Sequence, residues 1–460
     1  MNAKQPASSH VEAAKKVLVV GLGMTGLSCA RHLTRLGQQV AVTDDSAAPP
    51  GLAALTAELT DTALFLGRLA PEAFAHAEQI VVSPGVSLRH PLIDEARARG
   101  IEVIGDIELF ARALRDTAPG TPVLAITGSN GKSTVTTLVG EMARAAGRAV
   151  RVGGNLGTPA LDLLAAADPA TDLYVLELSS FQLESTFTLA PRAAVVLNIS
   201  PDHLDRYDGL DDYAKAKQRI YHNAELQVVN RDDALAARLA DPARRCVGFG
   251  LRAPAAGDYG LGERDGRLWL MRGEQPLLPA DAVRMPGRHN LGNALAALAL
   301  GDAVGLPVAA MSETLHCFGG LDHRTQWVAE TEGVVWYNDS KGTNIGATLA
   351  AVAGLDRPVV LIAGGRGKGA DFGLLREGLQ GRVRAVVLIG EDAPLIEAAL
   401  HGVAPLARAG DMEDAVRQAA ALARPGDAVL LSPACASFDM FTGYDQRGQV
   451  FMDAVRRLGA

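Results

Sequence analysis

The sequence predicts an α/β protein of three domains, each built on a mostly parallel sheet flanked by helices. Three observations carry that expectation. The chain has 460 residues, more than a single core of ordinary size organises. Short β-branched runs alternate with Ala/Leu/Arg-rich helical stretches almost to the C-terminus, the signature of strand–helix–strand units. Glycine-rich turns also follow two of the strands directly, at the rim where parallel sheets bind ligands.

Taken in order, residues 1–14 (MNAKQPASSHVEAA) are polar, carry no strand pattern and are expected to form a disordered tail. Val17–Val20, Gln39–Thr43 and Ile80–Ser83 read as strands of a first domain, residues 15–118. Pro122–Thr127, Leu173–Leu178 and Ala193–Ile199 belong to a second, residues 119–320. Val334–Asn338, Pro358–Ala363, Ala385–Ile389 and Ala428–Ser432 belong to a third, residues 321–460. The boundaries fall at breaker-rich stretches, Thr117–Pro122 and the Gly319–Gly320 turn.

Composition narrows the function classes. Hydrophobic residues at 48% and charged residues at 21% describe a globular chain rather than a fibre or a disordered one. A net charge of −8 argues against nucleic acid as a partner, which needs a basic footprint. Cys29, Cys246, Cys317 and Cys435 form no CxxC pair, so neither a zinc site nor a disulfide framework is expected, and a cytoplasmic location fits. Lys15 and Lys16 before VLVVGLGMTGLSCA imitate a secretory leader with a lipid-attachment cysteine. The glycine spacing in that run fits a strand–turn–helix better. No stretch approaches the ~20 uninterrupted apolar residues of a membrane span, so no insertion is expected.

The first chemical motif is Gly21-Leu-Gly23-Met-Thr-Gly26, after the strand ending at Val20 and before a helix expected over Leu27–Leu36. Glycines there permit a tight turn and let backbone N–H groups approach a diphosphate at the positive end of a helix. Asp44 and Asp45 end the next strand, where an acid meets a ribose hydroxyl. NAD, FAD and UDP-sugars are all compatible with this motif, as is a tight turn with no ligand. Ser83-Pro84-Gly85 forms another loop on the same rim.

The second motif, Thr127-Gly-Ser-Asn-Gly-Lys-Ser-Thr134, lies between the strand ending at Ile126 and a helix starting near Ser133. Gly128, Ser129, Asn130 and Gly131 supply backbone donors for phosphates, Lys132 a point charge, and Ser133 or Thr134 a hydroxyl for Mg²⁺. The glycine that opens longer loops of this type would fall at Ile126, which makes this the shorter variant. Glu177 ends the strand LYVLE, where phosphate-loop proteins place a metal-directed carboxylate; the bland alternative is a solvated strand end. His203 follows the next strand, as a metal ligand, a base or a structural histidine. Asn155 adds a polar group on the Gly153-Gly154 turn.

Six segments in this order, TGSNGKST, ELSSFQ, NISPDHLDRY, HNLGNA, NDSKGTN and LSPACASFD, resemble the Mur ligases. The resemblance covers everything beyond the tail. It implies a Rossmann-like N-terminal domain, a phosphate-loop central domain and a Rossmann-like C-terminal domain. The implied activity is ATP-dependent addition of D-glutamate to UDP-N-acetylmuramoyl-L-alanine, with Mg²⁺, in cell-wall precursor synthesis and by a monomer. It assigns the first motif to UDP, with Gly23, Met24, Thr25, Asp44, Asp45, Ser83 and Gly85 at matching positions and Asn155 on the muramoyl substrate. Residues 128–134, Asn290, Asn293, Arg324 and Asp339 match contacts to ATP, and Thr343, Lys368, Ser437, Phe438 and Tyr444 the D-glutamate pocket. Ser133, Thr134, Glu177, His203 and Lys217 match metal ligands, the last as a carbamate.

Read as a residue alone, Lys217 is a solvated helical lysine. An ammonium cannot ligate a cation, whereas a carbamate presents anionic oxygens. Lys132, His203, Lys217 and Arg324 are the expected catalytic set, His203 also as a candidate base for the incoming amine. Two departures from the family pattern stand out: Arg366 where many members carry an acid, and Tyr444 where phenylalanine is expected. A related Mur or folylpolyglutamate-type ligase is the alternative. A nicotinamide oxidoreductase leaves the phosphate loop unexplained, and a non-catalytic regulator leaves Lys132, Glu177 and His203 unexplained.

Overall fold

The computed structural model describes residues 15–168, 170–200, 206–367 and 369–458. His203 and Lys368, and the tail expected over residues 1–14, lie outside the described residues. The chain divides into two compact units. The first runs to Lys132 and adds Ala143–Gly248 and Ala299–Leu306; the second comprises Ser133–Met142, Phe249–Leu298 and Pro307 onward. Among the described residues no helix is long and apolar enough to cross a membrane.

The first unit opens with β1 (Lys16–Val20), β2 (Gln39–Asp44), β3 (Ala63–Leu66), β4 (Gln79–Val82) and β5 (Glu102–Gly105), in spatial order 3-2-1-4-5. All four pairings are parallel. Val17–Val20 are fully buried, as expected of a central strand covered by helices on both faces. The same unit holds β6 (Val123–Thr127), β7 (Val150–Gly154), β8 (Leu173–Glu177), β9 (Ala193–Val196), β10 (Gln227–Asn230) and all but the last residue of β11 (Cys246–Phe249), ordered 11-10-9-6-8-7. The phosphate-loop strand β6 is thus central, with β8 and β9 parallel on either side.

In the second unit, β12 (Tyr259–Arg264), β13 (Arg267–Arg272) and β14 (Gln275–Pro279) form an antiparallel meander. A further sheet contains β15 (Gln326–Thr331), β16 (Val334–Asn338), β17 (Val359–Gly364), β18 (Val383–Ile389), β19 (Leu406–Arg408) and β20 (Ala428–Leu431), ordered 15-16-20-17-18-19. Only the β15–β16 edge of this sheet is antiparallel.

Every strand expected from the sequence is present. The largest difference is at Ala193–Ile199, which stops at Val196 because Asn198 turns away to hold the phosphate loop. The helix expected over Leu27–Leu36 runs Met24–Arg35, starting as soon as Gly23 ends the turn. Glycine is required at Gly26, where an added Cβ would lie 1.9 Å from the carbonyl oxygen of Gly21. Helix and strand could not then pack this closely.

The junction of β5 and helix Asp106–Thr117 clasps the segment after β8. Gly105 donates to Ser185 O (3.1 Å), and Glu108 accepts from the N–H groups of Phe187 and Thr188 (2.7 and 2.8 Å). Asp106 accepts from Gln182 Nε2 (2.8 Å), while its other oxygen is buried with no partner. Burial therefore pushes the Asp106 carboxyl up from 3.8 to about 6.

A raised carboxyl stabilises the fold fully below its unfolded value, and that contribution is lost as pH rises through the folded one. Asp106→Asn should therefore gain stability relative to the natural chain between pH 4 and pH 7, by about 3 kcal/mol at most. Urea unfolding of both proteins at the two pH values measures this, and parallel shifts would refute it.

Candidate active site

The residues expected to meet a UDP-linked substrate line one cavity of about 870 Å³ in the first unit: Gly23, Met24, Thr25, Asp44, Asp45, Ser83, Gly85 and Asn155. Helix Met24–Arg35 begins there with Gly23 at its N-cap and no side chain capping it. A Cβ at Gly23 would meet nothing within 4 Å, so the turn leaves open space beside the positive end of the helix. The two aspartates divide their labour. Asp44 is buried and spends both oxygens on the turn, accepting from Leu22 N (2.6 Å) and Ser46 N (2.8 Å). Asp45 is exposed on the rim, the better placed of the two for a ribose hydroxyl. Ser83 Oγ donates to Gly21 O (2.9 Å) and so is likewise part of the scaffold.

Sequence reasoning missed one residue of this cavity wall and one that holds the wall from behind. Gln182 lines the cavity, held by Asp106 on one side and by a reciprocal capping box with Ser179 on the other. Arg206 donates to the carbonyls of Pro84, Gly85 and Val86 (2.9, 3.3 and 2.7 Å) and lies 3.9 Å over the Phe181 ring. Both sit inside segments already singled out, ELSSFQ and NISPDHLDRY, but only long-range packing reveals their roles.

The phosphate loop is pinned from the strand beside it. Asn198 accepts from Asn130 N (2.8 Å) and donates to Asn130 O (3.0 Å). Ser129 Oγ donates to Ser200 O and accepts from Ser200 N (3.1 and 2.9 Å). Lys132 Nζ donates to Gly128 O and Ser129 O (2.9 and 3.0 Å). Lys217, read from its residue type as a solvated lysine, is instead buried, at 1% exposure. Its ammonium donates to Gly128 O (3.0 Å) and Thr127 Oγ1 (3.3 Å), 4.6 Å over the Tyr213 ring. The correction has a simple cause: Tyr213, Ala214, Ala216 and Lys217 form the buried face of helix Leu210–Gln218.

Glu177 is equally buried, paired in register with Ile126, and accepts from Asn155 Nδ2 (2.7 Å). Ser133 and Thr134 follow Lys132 in the first turn of helix Lys132–Ala145 and are partly buried. Among the described residues no group of three His, Cys, Asp or Glu side chains is placed to hold a metal by itself.

In the second unit, Asn290 donates to Pro286 O (2.7 Å) and accepts from Asn293 Nδ2 (2.9 Å) at the start of helix Arg288–Ala303. Arg324 is exposed. Asp339 is buried; one oxygen accepts from Thr325 N (3.0 Å) and the other from Ser432 Oγ (2.7 Å). Desolvation pushes its carboxyl up to about 6 against those hydrogen bonds. Asp339 thus braces the Arg324–Thr325 segment, where Thr325 takes a left-handed backbone conformation (φ 43°) that a β-branched residue avoids.

The segments expected to form an amino-acid pocket are joined by backbone hydrogen bonds. Ala434 N donates to Gly342 O (2.9 Å), and Arg366 and Ala436 exchange two bonds (2.9 Å each). Thr343 and Phe438 are exposed, and Ser437 is buried. Both departures from the family pattern have local partners. Arg366 Nε donates to Glu391 (3.0 Å), and the Tyr444 hydroxyl accepts from Lys341 Nζ (3.1 Å), a bond that phenylalanine cannot make.

Three domain models match in order: Mur ligase MurD-like, N-terminal domain, over residues 15–105; Mur ligase middle domain over 126–301; and Mur ligase, glutamate ligase domain over 323–435. The chain belongs to the Mur ligase family, ATP-dependent amide ligases of three α/β domains. It is 56% identical over 456 residues to the UDP-N-acetylmuramoylalanine--D-glutamate ligase of Nitrosococcus oceani, covering 99% of both chains. To the protein of the same name from Pseudomonas aeruginosa it is 53% identical over 445 residues, covering 96% of this chain and 98% of that one. The fold is also similar to that of UDP-N-acetylmuramate-alanine ligase MurC from Thermotoga maritima, with TM-score 0.55 and 19% identity over 96% of this chain and all of that one.

Proposed function

We propose that this enzyme joins D-glutamate to UDP-N-acetylmuramoyl-L-alanine through an acyl-phosphate intermediate, in the synthesis of cell-wall precursor. The observation that carries the reading is the likeness, at 56% identity over the whole chain, to a ligase of that name. The cavity at the glycine turn and the pinned phosphate loop support it, since such a reaction needs two places for anionic groups.

In the first step a carboxylate oxygen of the muramoyl-L-alanine attacks the γ-phosphorus of ATP, and the bond to the β-phosphate oxygen breaks to release ADP. In the second, the D-glutamate amine attacks the acyl carbon, and the tetrahedral intermediate expels inorganic phosphate as the amine loses its proton. Bringing a carboxylate against a triphosphate costs roughly 4 kcal/mol per pair of unit charges at 4 Å and an effective dielectric of 20. Lys132 offsets part of that repulsion.

A single buried carboxylate at a phosphate-loop rim fits Mg²⁺, which takes one or two carboxylates and completes its shell with phosphates and water. Glu177 would hold it, with a hydroxyl of Ser133 or Thr134, His203 and Lys217 as a carbamate. Bound there, the metal would neutralise charge developing on the phosphates. His203 is the candidate acceptor of the amine proton, and Thr343, Lys368, Ser437, Phe438 and Tyr444 the candidate D-glutamate pocket.

Phosphate release from ATP, measured with UDP-N-acetylmuramoyl-L-alanine and a panel of D- and L-amino acids, tests the assignment. Release is expected with D-glutamate. Release with D-alanine or L-lysine in its place would overturn the reading.

A further inference from the structure

Arg447 is the largest of the fully buried side chains, at 1% exposure, in helix Tyr444–Leu458 of the C-terminal domain. Among the described residues its guanidinium bonds only neutral oxygens: Nε donates to Ser340 Oγ (3.0 Å), Nη2 to Ser340 O (2.8 Å) and Nη1 to Cys435 O (3.1 Å). Asp439 acts on it only through longer-range charge. Burying a cation without an ion-pair partner is costly, and burial lowers its pKa to about 10. A cation retained at such a cost needs a reason beyond filling space.

Its partners supply one. Ser340 lies in NDSKGTN, and its hydroxyl donates onward to Tyr444 O (2.7 Å). Cys435 lies in LSPACASFD, two residues before Ser437. One side chain therefore ties together the segment expected to face the nucleotide, the segment expected to face the amino acid, and Tyr444. We propose that Arg447 is a positioning residue for the ligase reaction. It fixes these segments in one arrangement and places a buried positive charge behind the pocket for a dicarboxylate amino acid.

This rests on the reading that Ser437, Thr343 and Tyr444 form that pocket. Arg447→Met should raise KM for D-glutamate roughly tenfold or more, the scale of one lost charge-assisted hydrogen bond, and leave KM for UDP-N-acetylmuramoyl-L-alanine unchanged. Arg447→Lys, which keeps the charge but not the three-way fork, should recover part of the loss. A role in stability alone would lower the unfolding midpoint without moving the ratio of the two KM values.

Should the methionine variant not fold, Arg447→Lys and Ser340→Ala carry the same test, each with a raised KM for D-glutamate. Folded variants with that KM within about twofold of the natural enzyme overturn the proposal. Ser437→Ala separates the two layers. A raised KM there beside unmoved Arg447 variants overturns the positioning role alone. An unmoved KM in all of them overturns the pocket and the positioning role together.

Discussion

Lys132→Ala is expected to lower the rate of phosphate release by roughly 10²–10³-fold or more, with the unfolding midpoint nearly unchanged. The expectation of an intact fold follows from how the loop is built. Its shape is set by Asn198 and Ser200, which hold Asn130 and Ser129 from the neighbouring strand end. Lys132 donates to two carbonyls within its own loop, contacts that a triphosphate would compete for. Its charge acts on a group that becomes more anionic toward the transition state, so the loss should appear in kcat more than in KM. Steady-state kinetics with saturating UDP-linked acceptor and D-glutamate read it directly. A variant retaining more than about a tenth of the natural kcat would remove Lys132 from the reaction.

Lys217→Ala is expected to abolish turnover, and Lys217→Arg to do nearly as much damage. Lys132 and Lys217 both donate to Gly128 O, so their nitrogens are at most about 6 Å apart. Two ammonium groups so close in a largely buried site repel one another. Carbamylation of Lys217 turns that repulsion into attraction and creates an oxygen ligand for a cation at the same spot. Arginine keeps the positive charge and the hydrogen-bonding capacity but cannot be carbamylated, so it separates the two possible uses of Lys217. The carbamate itself should be seen by carbon-13 NMR of protein equilibrated with labelled bicarbonate. Full activity of the arginine variant, or no labelled signal in the active natural enzyme, would eliminate the carbamate.

Features encoded in consecutive residues were legible in the sequence. The glycine turn, the phosphate loop and the strands preceding them depend on local backbone geometry, and each lies where the spacing placed it. The Lys217 surroundings were not legible, because four neighbours along one helix face cannot reveal that Lys217 reaches Thr127 and Gly128 at the end of β6. Gln182, Arg206 and Arg447 were missed for the same reason. Each works by reaching a residue 76 to 122 positions away, and nothing in the identity of a glutamine or an arginine records that. Asp44 illustrates the converse: its position was found, but its work for the turn rather than for a ligand depends on where two amide hydrogens point. The edge strands, β3 and β19 among them, are short and only partly buried, so they lack the continuous apolar run that marked the central ones.

Arg206 grips the loop after β4 through three carbonyl oxygens and no side chain. Carbonyls are common to all residues, so the anchorage places no demand on which side chains occupy Pro84, Gly85 and Val86. The loop can exchange its side chains, and with them its fit to the sugar nucleotide proposed to bind here, while its path stays fixed. Evolution can therefore retune recognition here without first rebuilding the support.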